Sequence, residues 1–279
     1  MRKIIWLLLG AMMLVSCSKD TVEGNPDYLA TDLISVQVDG QTMYFLDHHN
    51  GTVSVTYDRR NPMVSSTSGY YKGNVTIPSS ITVDGQLMSV TGITESAFMG
   101  CTELTSLSIP SSVKSIGRLA FYNCKLLTSL TIPQGVSAIG TNCFLNCTGF
   151  KSVTIPESLT SLPDSAFFGC SSMITAYLPE TLTSLGASTF GGCRSMVELT
   201  LPQSVVNIGK NCFCSFDSDG ESNWKNFTLN VKAATPPVLQ ASIANAYNVR
   251  RIVVPLGYRE AYLNAPYWNE FTQIMERNY

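Results

Sequence analysis

One short phrase recurs along this chain at a fixed step. Ile109-Pro110, Ile132-Pro133, Ile155-Pro156, Leu178-Pro179 and Leu201-Pro202 follow one another at intervals of 23 residues. A period of roughly 20 to 50 residues marks an array of stacked units, and it restricts the fold more than any composition can.

Counted from its proline, each unit has the same columns. Val113, Val136, Leu159, Leu182 and Val205 stand three residues on. Ile116, Ile139, Leu162, Leu185 and Ile208 follow, each with Gly117, Gly140, Pro163, Gly186 or Gly209 behind it. A small residue then precedes an unbroken column of Phe121, Phe144, Phe167, Phe190 and Phe213. Cys124, Cys147, Cys170 and Cys193 lie three residues after the phenylalanine. The unit closes on an alternating segment such as Leu130-Thr131-Ile132-Pro133. Alternation of this kind predicts a short strand with one buried face. Proline has no N–H to donate and ends the strand. The Val-x-x-Ile-Gly segment predicts a second short extended piece, with its glycine in a turn. A helix-length amphipathic pattern is missing from the repeats.

A unit this short cannot bury its own apolar face, but stacked copies can, each column packing on itself. Neighbouring coils would then run parallel and about 4.8 Å apart, so that six coils make a stack on the order of 30 Å long. The expected fold is a β-dominated solenoid of about six 23-residue coils.

The phrase Leu-x-x-Leu-x-Ile-Pro-x-x-Val-x-x-Ile-Gly-x-x-Ala-Phe-x-x-Cys resembles the BspA-like leucine-rich repeat family of bacterial surface proteins. The match covers roughly residues 77 to 216 and agrees in many columns across several copies. Cysteine takes the interior corner that asparagine holds in the better-known eukaryotic repeats. The resemblance implies a leucine-rich repeat solenoid and adhesion to host, matrix or neighbouring-cell proteins.

Around the repeats the chain divides as follows. Residues 1–16 hold a basic start, Arg2 and Lys3, and an apolar run from Ile4 to Val15. That run is too short for a comfortable membrane span. It ends in Leu14-Val15-Ser16-Cys17, which looks like a bacterial lipobox, with Cys17 as the lipidated residue. Ser18 after the cysteine fits an outer-membrane lipoprotein, displayed at the cell surface. Residues 17–33 form a polar tether. Residues 34–77 are β-rich and non-repetitive, with a turn at Asp39-Gly40, and serve as an N-terminal cap. Residues 78–216 are the solenoid. Its first coil is longer, and Val83-Asp84-Gly85-Gln86 predicts a hairpin projecting from it. Residues 217–279 complete the final coil and form a small α/β cap, with Tyr258, Ala261 and Tyr262 at helical spacing and Trp268 in the tail.

Chemistry-bearing residues are scarce. The chain is 14% charged with net charge −2, which leaves no electrostatic footprint for nucleic acid. His48 and His49 are the only histidines; as neighbours on a strand they point to opposite faces and do not chelate. Asp217, Asp219 and Glu221 look like the start of a calcium loop, but Thr228 stands where such loops need glutamate. Eight cysteines besides Cys17 suggest disulfides in an exported chain. Column partners about 4.8 Å apart are too distant for that bond, so buried thiols are expected. The chain is therefore read as a non-enzyme without cofactor or metal.

What remains is a surface. Ser106 and Ser108, Ser129 and Thr131, Ser152 and Thr154, Thr175 and Tyr177, and Glu198 and Thr200 face outward beside the buried strand positions. This ladder of small polar groups is the expected recognition face for a protein. A glycan partner in polysaccharide uptake would instead use exposed aromatics such as Tyr177, Trp224 and Trp268, although Trp268 reads better as a cap-core residue. A purely structural envelope role needs neither.

Overall fold

The computed structural model describes residues 32–58, 71–214, 227–243, 249–271 and 273–279. Cys17, the tether up to residue 31, the acidic loop at Asp217, Asp219 and Glu221, and Trp224 lie outside the described residues.

The repeats form a β-solenoid whose coils meet through two ladders of very short strands. On the first, Ser152–Thr154 pairs in parallel with Thr175–Tyr177, residue for residue at the 23-residue offset. Leu104–Ser108 and Glu198–Leu201 are the corresponding strands of other coils. The coil at Ser129 falls short of the expected strand: its contribution is a single bridge, Thr131 to Thr154.

The second ladder is built by Ser115–Ile116, Ala138–Ile139, Ser161–Leu162, Ser184–Leu185, Asn207–Ile208 and Val238–Leu239. The glycine that follows each strand is not the turn residue expected from the sequence. A Cβ on Gly140 would sit 2.3 Å from Arg118 N, and one on Gly209 would sit 2.4 Å from Ala187 N. The column is glycine because the previous coil's backbone occupies that space. The left-handed positions lie elsewhere, at Ser96, Leu119, Asn142, Ser165, Ser188 and Asn211, with φ between 53° and 59°. They open the corner that turns each phenylalanine inward.

Pro163 breaks this ladder. Gly117, Gly140, Gly186 and Gly209 each donate their N–H to the isoleucine or leucine carbonyl of the preceding coil at 2.8 Å. Proline at that column has no proton to give and carries the Cβ that glycine avoids. The second ladder accordingly divides between Ala138–Ile139, which belongs to a seven-stranded sheet, and Ser161–Leu162, which starts a four-stranded one.

Inside the coils the phenylalanines stack. Phe98, Phe121, Phe144 and Phe167 follow at 5.2, 5.2 and 5.1 Å between ring centroids, nearly parallel. Phe190 and Phe213 extend the column at 5.6 and 6.2 Å. Beside it the cysteine thiols donate to the phenylalanine carbonyl of the preceding coil: Cys124 to Phe98, Cys147 to Phe121, Cys170 to Phe144 and Cys193 to Phe167, at 3.0 to 3.2 Å. Each of these carbonyls also accepts the cysteine N–H of its own coil, so the thiol adds a second, uncharged donor in the buried corner.

Both ends of the stack are closed. At the N-terminal end Leu33–Val38, Gln41–Asp47 and Thr52–Thr56 form an antiparallel meander with the hairpin turn at Asp39-Gly40. Thr52–Thr56 pairs in parallel with Gln86–Ile93, whose antiparallel partner Ser80–Val83 completes the hairpin around Asp84-Gly85. At the other end Phe227–Val231, Val249–Pro255 and Ile274–Arg277 continue the parallel ladder beyond Glu198–Leu201. The last of these strands has no alternating signature in the sequence. The helix Arg259–Leu263 lies in the connection before it and buries Tyr262.

Candidate functional site

The first ladder carries the outward residues singled out from the sequence. Ser106, Ser108, Ser129, Thr131, Thr154, Tyr177 and Glu198 are exposed, and Ser152, Thr175 and Thr200 are half-buried. The pairing places them in two columns. Ser152 lies beside Thr175, and Thr154 beside Tyr177. The face runs further than the sequence showed. Asn74 and Thr76 stand beside Ser106 and Ser108, and Thr228 and Asn230 stand beside Glu198 and Thr200. The first extension ends in the repeat's own Val75-Thr76-Ile77-Pro78, displaced from the 23-residue step by the longer first coil, whereas the second comes from a segment without the phrase.

The face is not uniform. A depression of about 240 Å³ opens on it, lined by Thr175, Tyr177, Glu180, Glu198, Thr200, Pro202 and Lys232 among others. Lys232 Nζ meets Glu180 Oε1 at 2.9 Å. Asn230 is buried, and its amide donates to Glu198 Oε1 and reaches Thr200 Oγ1 at 3.4 Å. Tyr177 is 60% exposed. From the C-terminal end Tyr279 leans over the ladder, its hydroxyl donating to Val253 O at 3.0 Å. Burial raises the Tyr279 phenol first; Arg277 then lowers it and the Glu198 carboxylate raises it. Neither Asn230 nor Lys232 belongs to a repeat column, and both were missed in the sequence.

Residues 91–218 match the family model of the BspA type Leucine rich repeat region in six copies. The chain belongs to the BspA-type leucine-rich repeat family. Solved structures that resemble it are bacterial leucine-rich repeat proteins. The T. pallidum protein is 24% identical with a TM-score of 0.48, covering 59% of this chain and 82% of that one. A Bacteroides capillosus protein is 30% identical with a TM-score of 0.42, covering 52% of this chain and 98% of that one. A leucine rich cell surface protein from Faecalibacterium prausnitzii is 17% identical with a TM-score of 0.41, covering 88% and 95%. No curated protein matches the chain.

In this BspA-type solenoid the reactive residue types are spent on structure. The eight cysteines from Cys101 to Cys214 are buried thiols rather than disulfides. Burial pushes Cys101 and Cys212 up to about 12. Cys124 is raised first by its hydrogen bond with the Cys147 thiol and then by burial. His48 Nε2 lies 2.8 Å from Ser54 Oγ, and His49 Nε2 lies 2.8 Å from Asp32 Oδ1. Among the described residues no three histidine, cysteine or acidic side chains are grouped to hold a metal ion. None of their helices is long and apolar enough to cross a membrane. Trp268, read from the sequence as a cap-core residue rather than a glycan-stacking one, is fully buried, with Nε1 donating to Pro237 O at 2.8 Å and its ring edge-on to Tyr262.

Proposed function

We propose that this protein is a lipid-anchored envelope protein, held by Cys17 in the outer membrane and displayed at the cell surface, whose strand face binds another protein in adhesion. The observation that carries the reading is the face itself. An extended, shallow, polar face runs from Asn74 to Asn230 through three short sets of paired strands, with Asn74 beside Ser106, Ser152 beside Thr175 and Glu198 beside Thr228, and its depression is open to solvent. Such a surface suits a macromolecule laid along it and offers a small substrate no enclosure. The cell-surface description of the Faecalibacterium relative agrees with that placement. The glycan reading rests on Tyr177 alone within the described residues, because Trp268 is spent on the cap.

Three measurements test the proposal. Protease shaving of intact cells should remove the protein, while a periplasmic control survives; protection equal to the control ends the adhesion reading. Cys17→Ala should move the protein from the membrane to the soluble fraction, and unchanged detergent partitioning refutes the anchor. For the face, beads carrying the full chain should adhere to host cells or matrix. Beads carrying the Ser129→Arg, Thr154→Arg double variant should lose that adhesion.

A further inference from the structure

From Ser106 to Thr200 every coil places serine or threonine in the two outward columns, with two exceptions, Tyr177 and Glu198. They fall in different coils and different columns, yet the fold brings both into one depression of about 240 Å³. The surrounding groups explain what that pair can accept. Lys232, the nearest cation lining the depression, is engaged with Glu180. Among the described residues no cation lies within ion-pair distance of Glu198. Its carboxylate is nevertheless held in place, because buried Asn230 donates to one oxygen. An acceptor fixed in this way loses little freedom when a partner arrives. Beside it the Tyr177 ring presents a π-face, and Ala176, Leu178 and Pro202 supply apolar wall.

An anion is repelled by this set, and an apolar side chain would strip water from Glu198 without replacing it. A cation on a long apolar stem satisfies every element: its charge on the carboxylate, its face on the ring, its stem on the wall. We propose that the depression is the anchor of the recognition face and that its occupant is an arginine or lysine side chain of a protein partner. Arginine fits better, since its planar head can stack on Tyr177 while it donates to Glu198. The inference rests on the protein-binding reading of the face and names the chemistry of its centre.

The test titrates the full chain with the blocked peptide Gly-Gly-Arg-Gly-Gly and with the same peptide carrying citrulline, the neutral isostere, read by saturation-transfer NMR. The arginine peptide should bind saturably, and the citrulline peptide about tenfold more weakly or not at all. Tyr177→Thr and Glu198→Gln should each weaken the arginine peptide by about three- to fivefold. Ser161→Ala, exposed on the second ladder and away from the face, should leave it unchanged. Thr is what neighbouring coils carry at this column, and Gln keeps the acceptor that Asn230 uses, so both variants keep the fold. Equal binding of the two peptides, no saturable binding, or indifference to both variants overturns the inference. Maltoheptaose binding that depends on Tyr177 but not on Glu198 also overturns it, in favour of a carbohydrate. The bead assay separates the two levels. Adhesion lost with the Ser129 and Thr154 charges but retained in Glu198→Gln leaves the face standing and removes only the anchor.

Discussion

Tyr71 closes the phenylalanine column of this solenoid: its ring lies 4.7 Å from that of Phe98, and its hydroxyl donates to Thr56 O at 2.7 Å. The Tyr71 phenol oxygen in turn accepts from Tyr44 N at 3.2 Å. One side chain therefore covers the apolar end of the stack and joins it to the meander. Replacing Tyr71 by Ala should cost ~3–5 kcal/mol, as expected for a fully buried aromatic. Tyr71→Phe keeps the lid but leaves buried backbone groups unpaired, at about 1–3 kcal/mol. Urea denaturation of the two variants measures both, and equal losses would show that the hydroxyl rather than the ring makes the seal.

The thiol ladder predicts an alkaline limit. Folded Cys101 and Cys212 sit near 12, whereas the ordinary thiol value is 9.0. Below the unfolded value both states hold the proton and the full stability is present. As pH rises past it, the unfolded chain ionises first, and stability falls progressively until the folded thiols ionise too. Stability should therefore be flat at neutral pH and decline from about pH 9 toward about pH 12. Replacing Cys101 and Cys212 together by Ala should flatten part of that decline. Disulfide-exchange reagents should find the eight thiols unreactive in the native protein at pH 8 and accessible in guanidinium.

Glycine at the second ladder should resist substitution. Gly140→Ala would put a methyl 2.3 Å from Arg118 N, a backbone atom that cannot swing aside. A loss of about 1–3 kcal/mol or more is expected. Gly40→Ala, where a Cβ meets nothing within 4 Å, should be costly only for its left-handed backbone, φ 78°. A Gly140→Val variant as stable as the wild type would contradict the steric account.

Pro163 should be a seam. Hydrogen exchange is expected to show the coils before Ile139 and after Leu162 as separately protected blocks. Pro163→Gly supplies the missing donor toward Ile139 and should merge them, with slower exchange at the new Gly N–H. Exchange at one uniform rate across residues 138 to 162 in the wild type would show that the ladder tolerates the proline.

The C-terminal cap should depend on one indole. Trp268→Phe removes the donor to Pro237 O and should cost about 1–3 kcal/mol. Near-ultraviolet circular dichroism should lose its Trp268–Tyr262 signature while the repeats stay folded, since an array is only locally coupled.

Much of this molecule is written in its period. The 23-residue step, the phenylalanine and cysteine columns and the outward serines and threonines declare a stacked solenoid, because a residue repeated at one period must pack on its own copies. Other features depend on what the neighbouring coil puts opposite a residue. Gly140 looks like a turn residue until the backbone of Arg118 is seen against it. Pro163 looks like one more variant of its column until its missing proton divides the ladder. Trp268 reads as a cap-core residue, but that Pro237 and Tyr262 enclose it is decided by the fold. The depression is the clearest case. Tyr177 and Glu198 are legible as departures from the ladder, but Asn230 and Lys232, which orient and neutralise the groups around them, come from beyond the repeats. Periodicity determines which residues are equivalent; only tertiary structure decides which unequal residues meet.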